Sequence, residues 1–449
     1  MAKDWERLGG ETGQKVDTSR LGRAMRLGRL AGRFAGSALK AGLTRRGDDE
    51  GDQLDAVARA AMKNAGHIVD VMGQMKGAAM KIGQMLSADP DLVSPEFAEK
   101  LTQLQREAPP MTFQTVTQVI EAALDRPMAD VFRFFDPTPL GAASIGQVHR
   151  ATLDDGRDVA VKVQYPGIAQ SLDSDLRNLA SLLKLGRVFM SKERAEDFVR
   201  EARDAILIEA DYTREAANLA RFRVLLADRE GVIIPEPIAD LCRPTVLVMA
   251  YVDGRKFDDA ITSIEDKERR SALLARFVEL FVHMFHDLHE LHADPHPGNF
   301  MLTANDEIVL LDFGCIRAFR PELTDGVLRM LSAYWADDMD GMAALFRHFH
   351  FGRDGMAMPS SDVLRTYHRM ILEPLTTDAP FNFSTFAVHA KARDFVLRHP
   401  NLMRMVPPAE MLLYLRVVAG LKGMLTRVDG EVNLRGMAEE ACRRRGVLA

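Results

Sequence analysis

The 449-residue sequence predicts an α+β fold, in which a small β-containing lobe follows a helical extension and precedes a larger helical lobe. A long stretch rich in alanine and methionine, from about residue 54 to 86, contains no proline and predicts a helix. Short β-rich pieces flank the turn Asp154-Asp155-Gly156, which indicates a hairpin. Helical patterns dominate from about residue 265, so the second lobe is mainly helical.

Composition and charge exclude several classes of protein. The chain is 47% apolar and 27% charged, as in soluble globular proteins, and its net charge of -6 does not favour nucleic acid as a partner. Its three cysteines, Cys242, Cys315 and Cys442, form no CxxC motif and predict neither a disulfide framework nor a zinc site. No run of eighteen apolar residues predicts a membrane-spanning helix. A reducing cytoplasm fits these features best.

The first predicted region, residues 1–52, is an N-terminal segment with a strongly basic stretch. Residues 18–47 hold eight arginines or lysines and no acid, a composition that also occurs in organelle transit peptides. Two further interpretations remain: peripheral contact with anionic lipid at the inner face of a membrane, or a helix that is solvated or docked on the protein.

The second region, residues 53–135, is predicted to be a helical extension. The helix at 54–86 is followed by a second one, which Ser94-Pro95 begins and Pro109-Pro110 ends.

The third region, residues 136–252, is predicted to be the β-containing lobe, and it begins with PLGAASIGQV at 139–148. This stretch, followed by VAVK ending in Lys162, has the spacing of a kinase phosphate loop and its strand lysine, although Ala143 replaces the middle glycine. Such a lysine contacts the α- and β-phosphates of a nucleotide. The candidate nucleotide-binding residues of the loop are Gly141, Ala142, Ala143, Ser144, Gly146 and Val148.

The lobe ends in PTVLVMAYVDG at 244–254, where a hinge between the lobes is expected. Backbone groups from Met249 through Tyr251 to Val252 are candidates for holding an adenine edge. Met249 is interpreted as the gatekeeper, and a core methionine is an equally good interpretation.

The fourth region, residues 253–449, is predicted to be the helical lobe, and it contains LHADPHPGNFMLTANDEIVLLDFG. His292, Asp294 and Asn299 match HxDxxxxN, and a DFG begins at Asp312, thirteen residues beyond the asparagine. We expect Asp294 to orient an acceptor hydroxyl, and Asn299 and Asp312 to be oxygen ligands of Mg²⁺. The order and spacing of these motifs predict a kinase that uses ATP and Mg²⁺.

Two departures argue against a kinase that phosphorylates proteins. Ala293 replaces the usual arginine of the catalytic loop, and residues 315–334 turn almost at once into a helical pattern with no APE motif. His296 is interpreted as a loop-packing or phosphate-side contact rather than a metal ligand.

Two more segments carry a family resemblance: KIGQ at 81–84 and LIEADYTREAANLARFR at 207–223. With PLGAASIGQV and HADPHPGNF, they resemble the UbiB-like, AarF-domain-containing atypical kinases associated with ubiquinone biosynthesis. The resemblance covers roughly residues 18–430. It implies an atypical protein-kinase-like bilobal fold with an N-terminal helical KxGQ extension and a helix-rich C-lobe.

The resemblance also implies roles for individual residues. Lys81 and Gln84 would be the KxGQ residues over the active site, with Lys81 acting in catalysis and gating, and Glu209 and Asp211 would face them as the ExD pair. Glu215 would pair with Lys162. Helical geometry agrees with this division, because Asp211 and Glu215 are i, i+4 on one face of a helix, whereas Glu209 points away from Asp211. Gly141 stands where the family more often has alanine, and we expect it to restore some backbone freedom.

The functional prediction is an ATP-dependent kinase or ATPase acting on, or in support of, a small lipid-like substrate such as an isoprenoid quinone precursor. Three alternatives remain: a small-molecule phosphotransferase of the aminoglycoside or choline kinase type, a non-catalytic nucleotide- or lipid-binding regulator, and a protein kinase. The sequence predicts no nucleic acid partner and leaves the oligomeric state open.

Overall fold

A computed structural model describes residues 110–143, 145–168, 209–352 and 357–447, except for the side chains of 389–391, and also residues 200, 203, 206 and 207. The predicted basic segment, the predicted helices at 54–86 and 94–107, and Lys81, Gln84 and Ser144 lie outside the described residues. The chain divides into two units, one ending at Ala220 but including Pro235–Tyr251, and one made of Arg221–Ile234 and Val252–Ala449.

The first unit is built on an antiparallel sheet of five strands. Its elements are α1 (Phe113–Leu124), β1 (Phe132–Phe135), β2 (Gly141–Ala143), β3 (Gly146–Leu153), β4 (Asp158–Gln164), the start of α2 (Tyr212–Leu225) and β6 (Val246–Ala250). The strand order is β1-β3-β4-β6, with β2 also paired to β3. The predicted hairpin is confirmed, because β3 and β4 pair from Gly146↔Gln164 to Thr152↔Asp158 around the turn.

Helix α1 covers this sheet with one apolar side. Its buried residues Phe113, Val116, Ile120 and Leu124 recur at helical spacing. The Thr112 side chain accepts a hydrogen bond from the Thr115 backbone N–H at 3.3 Å and so caps the first turn.

The ExD segment is not one continuous helix, and this corrects the geometric argument made from the sequence. Residue 209 is helical, but Ala210 lies in a turn and α2 begins at Tyr212. Asp211 Oδ1 accepts hydrogen bonds from the Thr213 N–H (3.0 Å) and hydroxyl (2.6 Å), so Asp211 caps the new helix. Asp211 and Glu215 therefore do not share a helical face by i, i+4 spacing.

The second unit is mainly helical, with short strands near its catalytic-loop motifs. Its helices are α3 (Phe257–Thr262), α4 (Lys267–His286), α5 (Pro321–Trp335), α6 (Met339–His348), α7 (Ser361–Ile371), α8 (Val388–Arg398), α9 (Pro400–Arg404), α10 (Ala409–Arg427) and α11 (Leu434–Arg444). Its strands are β5 (Val232–Ile233), β7 (Arg255–Lys256), β8 (Glu290–His292), β9 (Phe300–Leu302), β10 (Ile308–Leu310), β11 (Ile316–Ala318), β12 (Phe381–Asn382) and β13 (Glu431–Val432). Among the described residues, no helix is both long enough and apolar enough to span a bilayer.

The helix α4 forms the centre of this unit. The Phe277 ring packs on Phe257 (4.5 Å between centroids) and on Phe300 (5.0 Å). The sheet β5-β10-β9-β7 and the pair β8-β11 hold the chain on either side of the catalytic loop. Fixed strands thus enter and leave the loop that carries the predicted site.

Acid should destabilise the fold partly through His286. Burial lowers the pKa of this imidazole from 6.5 to about 4, and its Nδ1 donates to the Thr324 carbonyl at 3.0 Å. The unfolded chain then takes up a proton near pH 6.5 and the folded chain does not, so stability is full above that pH and falls as the pH drops towards 4. We expect His286 to lower the free energy of unfolding by roughly 2 kcal/mol between pH 7.5 and pH 5.

The measurement is denaturant unfolding of the wild type and His286→Gln across this range. Other buried histidines with a lowered pKa, such as His149 and His368, contribute equally to both proteins. The variant should show the flatter pH dependence, and parallel curves would contradict the prediction.

Candidate functional site

The strand lysine of the first unit forms a buried ion pair. Lys162 Nζ on β4 lies 2.9 Å from both carboxylate oxygens of Glu215, in the first turn of α2. The side chains are only 5% and 2% exposed, and the Nζ also lies 5.0 Å from the centre of the Tyr212 ring. Removing two charges from water is costly unless their geometry is good, so this pair is strongly constrained.

Two residues to which the sequence assigned no role, Gln164 and Tyr212, help to hold this pair in place. The Gln164 side-chain amide donates to the Ala210 carbonyl at 2.9 Å, and the Tyr212 N–H donates to the Pro244 carbonyl at 3.0 Å. The first bond joins the turn before α2 to β4, and the second joins the start of α2 to the turn before β6. Only their places in the sequence could have pointed to these two residues. Gln164 ends the VAVKVQ strand, and Tyr212 follows Asp211.

The candidate phosphate loop is a tight connection between β2 and β3. Gly141 pairs with Val148, and Ala143 pairs with Gly146. A Cβ at Gly146 would lie 2.3 Å from the Val163 carbonyl oxygen, so glycine allows this strand to approach β4. Gly141 has open space around it and no positive φ, so the backbone freedom expected of it is not used in this structure.

Two of the predicted hinge donors are already engaged inside the protein. The Ala250 N–H donates to the Glu236 carbonyl at 2.8 Å, and the Tyr251 N–H donates to the Asp158 carbonyl at 3.0 Å. Within the described residues, the Val252 N–H has no such backbone partner. Met249 is 5% exposed and pairs with Ala160 of β4, which is compatible with both interpretations of that residue.

In the second unit, a buried histidine ties the catalytic loop to the DFG motif. His292 Nε2 donates to the Asp312 backbone carbonyl, and β8 pairs with β11 at His292↔Ile316. Burial lowers the pKa of His292, which keeps the imidazole neutral. Its ring packs on Phe313 at 5.5 Å, and Phe313 packs on Phe222 of α2 at 5.2 Å. The DFG phenylalanine is therefore held between the catalytic loop and α2.

The loop after His292 is organised by its own polar groups. The Asp294 carbonyl accepts from the His296 N–H (2.7 Å) and from the Asn299 side-chain amide (3.0 Å). His296 Nδ1 accepts from the Gly298 N–H at 3.1 Å, which caps the turn Pro297–Asn299. This contact agrees with the loop-packing interpretation of His296.

The donor set fits a hard divalent cation. Because the Asn299 amide nitrogen is directed at Asp294, its Oδ1 is the atom left for coordination. Asp312 Oδ1 accepts from the Gly314 N–H at 2.9 Å, which fixes the carboxylate of the DFG turn. An amide oxygen and a carboxylate are the ligand types that Mg²⁺ takes in phosphoryl-transfer sites.

The helix α10 supports the same loop. A Cβ on Gly420 would lie 2.5 Å from Pro295 Cγ, so the glycine makes room for the residue next to Asp294. The Tyr414 ring stacks on Phe285 of α4 at 4.1 Å. No motif in the sequence singled out Gly420, because its partner lies more than a hundred residues away.

The structure describes some of the proposed gating residues and not others. Glu209 is buried and Asp211 is half-buried. Their predicted partners Lys81 and Gln84 lie outside the described residues, so the gating role stays a prediction.

Comparisons with known proteins show which family this chain resembles. A family model described as the ABC1 atypical kinase-like domain matches residues 103–346. The Caenorhabditis elegans protein "Atypical kinase coq-8, mitochondrial" is 31% identical over 440 residues, which cover 95% of this chain and 57% of that protein. The rat protein "Atypical kinase COQ8B, mitochondrial" is 30% identical, with 85% and 72% covered. The chain thus spans little more than half the length of the nematode relative.

A solved structure is also similar to the chain. It is the complex of Rv3197 with erythromycin from Mycobacterium tuberculosis, with a TM-score of 0.61 and 26% sequence identity. The match covers 86% of this chain and 97% of that one. It agrees with the α+β kinase-like fold class predicted from the sequence.

The contact between α10 and the loop can be tested with two glycines of the same helix. Replacing a helical glycine with alanine stabilises by about 0.5–1 kcal/mol when nothing obstructs the methyl group. Gly423→Ala meets nothing within 4 Å and should show this gain, whereas Gly420→Ala must displace Pro295. We expect Gly420→Ala to be less stable than Gly423→Ala by about 1–3 kcal/mol in denaturant unfolding. Equal gains in the two variants would mean that Pro295 does not pack on α10.

Proposed function

The chain belongs to the ABC1 atypical kinase-like family, and on that premise we propose that it binds Mg·ATP and uses it as a kinase or an ATPase. The observation that carries the proposal is the buried Lys162–Glu215 pair, with 2.9 Å contacts to both carboxylate oxygens. A fixed lysine of this kind is what a kinase needs to hold the α- and β-phosphates. A lysine that served only solubility would lie exposed on the surface.

Each remaining residue has a role that its contacts support. Asn299 and Asp312 would hold Mg²⁺, which neutralises phosphate charge when it is bound. Asp294 would orient the attacking hydroxyl or water and accept its proton. The Val252 N–H would serve the adenine edge, because the N–H groups of Ala250 and Tyr251 already have partners.

We assign the acceptor to a small lipid-like class, such as an isoprenoid quinone precursor, in keeping with the family's association with ubiquinone biosynthesis. The short link between the DFG and α5 supports a small acceptor, since only residues 315–320 separate Gly314 from Pro321. A protein kinase uses a longer segment after its DFG to dock its substrate. Peripheral contact with a membrane would bring such an acceptor within reach.

The metal assignment predicts the behaviour of Asp312→Asn. Mg·ATP at a hundredfold excess over its dissociation constant should stabilise the wild type by about 2.7 kcal/mol. The variant should lose the Mg²⁺-dependent part of this stabilisation, because an amide replaces the carboxylate ligand. The measurement is thermal unfolding with ATP, with and without Mg²⁺.

The matched control is Asp306→Asn. Asp306 has φ 63°, which asparagine tolerates, and it pairs with Arg269 rather than with any residue of the proposed site. Its Mg²⁺-dependent shift should equal that of the wild type. A full Mg²⁺-dependent shift in Asp312→Asn would refute the metal assignment.

The catalytic assignment predicts that Asp294→Asn binds nucleotide but turns over slowly. The amide keeps the size of the side chain and removes the group that accepts the proton, so turnover should fall by about 10² or more. ATP hydrolysis is measured together with the Mg·ATP thermal shift, which should persist. Equal hydrolysis by variant and wild type would favour the non-catalytic regulator instead.

A further inference from the structure

Exposed apolar side chains are concentrated in one stretch of the second unit. Of the eleven large apolar residues exposed in the described part of the chain, five lie within residues 403–418. We call them the 403–418 surface: Met403, Val406, Leu412, Leu415 and Val418, with 40% to 58% of each residue exposed. Single exposed apolar residues are common, whereas several in one short stretch are typical of an interaction surface.

Helical geometry shows that three members of this surface project from one side of α10. Leu412, Leu415 and Val418 are spaced by three residues, so they lie within a stripe of about 120°. Of the four buried residues of α10, Val417 and Met424 project roughly 180° from the centre of that stripe, whereas Met411 and Leu425, near the ends of the helix, lie within about 80° of it. Helix α10 is therefore apolar both toward the core and toward the outside, whereas an ordinary surface helix is polar on its outer side.

Basic residues accompany the apolar ones. Residues 398–427 contain a single acid, Glu410, and its Oε2 is bound by Arg320 at 3.0 Å. The same residues hold five basic side chains, a formal charge of +4 in a chain whose net charge is -6: Arg398, Arg404, Arg416, Lys422 and Arg427. Lys422 follows Leu415 by seven residues and so lies on the same side of α10.

We propose that the 403–418 surface docks the protein on an anionic lipid bilayer. A bilayer offers anionic headgroups for the basic residues and an acyl boundary for the apolar ones. A second copy of the chain fits less well, because a two-fold interface would bring two segments of charge +4 together. The N-terminal stretch 18–47 is also unsuitable, since it holds eight basic residues and no acid.

Docking of this kind would place lipid on the helix that supports the catalytic loop. Gly420, which contacts Pro295, lies about 140° around α10 from Leu415, and Pro295 adjoins Asp294. Any role of this docking in delivering a lipid-like acceptor rests on the proposed function, whereas the docking itself does not.

The test is sedimentation of the full chain with vesicles of phosphatidylcholine alone, or of equal parts phosphatidylcholine and phosphatidylglycerol. The wild type should bind the anionic vesicles more strongly, and high salt should weaken that binding. The double variant Leu412→Glu/Leu415→Glu places two acids on the surface and should reduce the partition coefficient by about tenfold or more. The matched control is Val224→Glu on α2, where the residue is 76% exposed, and it should bind as the wild type does.

Two further measurements separate this proposal from its rivals. The Mg·ATP thermal shift should be the same in the wild type and both variants, so a failure of nucleotide binding would not be mistaken for a failure of docking. Unchanged vesicle binding by the double variant would overturn the proposal. In that case, a lower particle mass by light scattering would identify an interface between copies, and a much lower unfolding temperature than that of Val224→Glu would show that another part of the chain covers the surface.

Discussion

The buried ion pair between Lys162 and Glu215 is the constraint on which the first unit depends. Two charges removed from water are tolerated only while the ammonium and both carboxylate oxygens stay at the observed 2.9 Å. That requirement fixes the start of α2 relative to β4, and the chain meets it with separate bonds to Ala210 and Tyr212. The helix breaks at Ala210, and α2 begins at Tyr212, so Glu215 lies in the first turn of the new helix and reaches the strand.

In the second unit, buried side chains and local hydrogen bonds hold the candidate site residues, whereas in the first unit an ion pair holds them. A neutral, buried His292 bonds to the DFG backbone, and the rings of Phe222 and Phe313 extend this contact to α2. In the loop that follows, the Asn299 amide nitrogen donates to the Asp294 carbonyl, which leaves the Asn299 Oδ1 as the atom able to coordinate a cation. The hydrogen bonds within this loop join residues only a few positions apart, so a short motif can encode them.

Helix α10 both supports the loop that carries Asp294 and exposes an apolar surface, and no sequence motif includes this helix. On one side, Gly420 receives Pro295 and thereby supports the loop that carries Asp294. On another side, the helix exposes apolar residues next to basic ones. One helix thus supports the loop on one side and exposes an apolar, basic surface on another.

The sequence by itself determined the kinase-like fold class, the β3-β4 hairpin, the family and the candidate residues, because each depends on spacing within a short segment. Only the tertiary structure showed the helix break at Ala210 and the contact between Gly420 and Pro295. It also showed that the N–H groups of Ala250 and Tyr251 already donate to carbonyls within the protein. Each of these depends on a partner distant in the chain, and helical periodicity cannot reveal such a partner. The continuous-helix argument for Asp211 and Glu215 was wrong for this reason: it assumed an unbroken helix, and bonds to Gln164 of β4 and to Pro244 in the turn before β6 accompany the break.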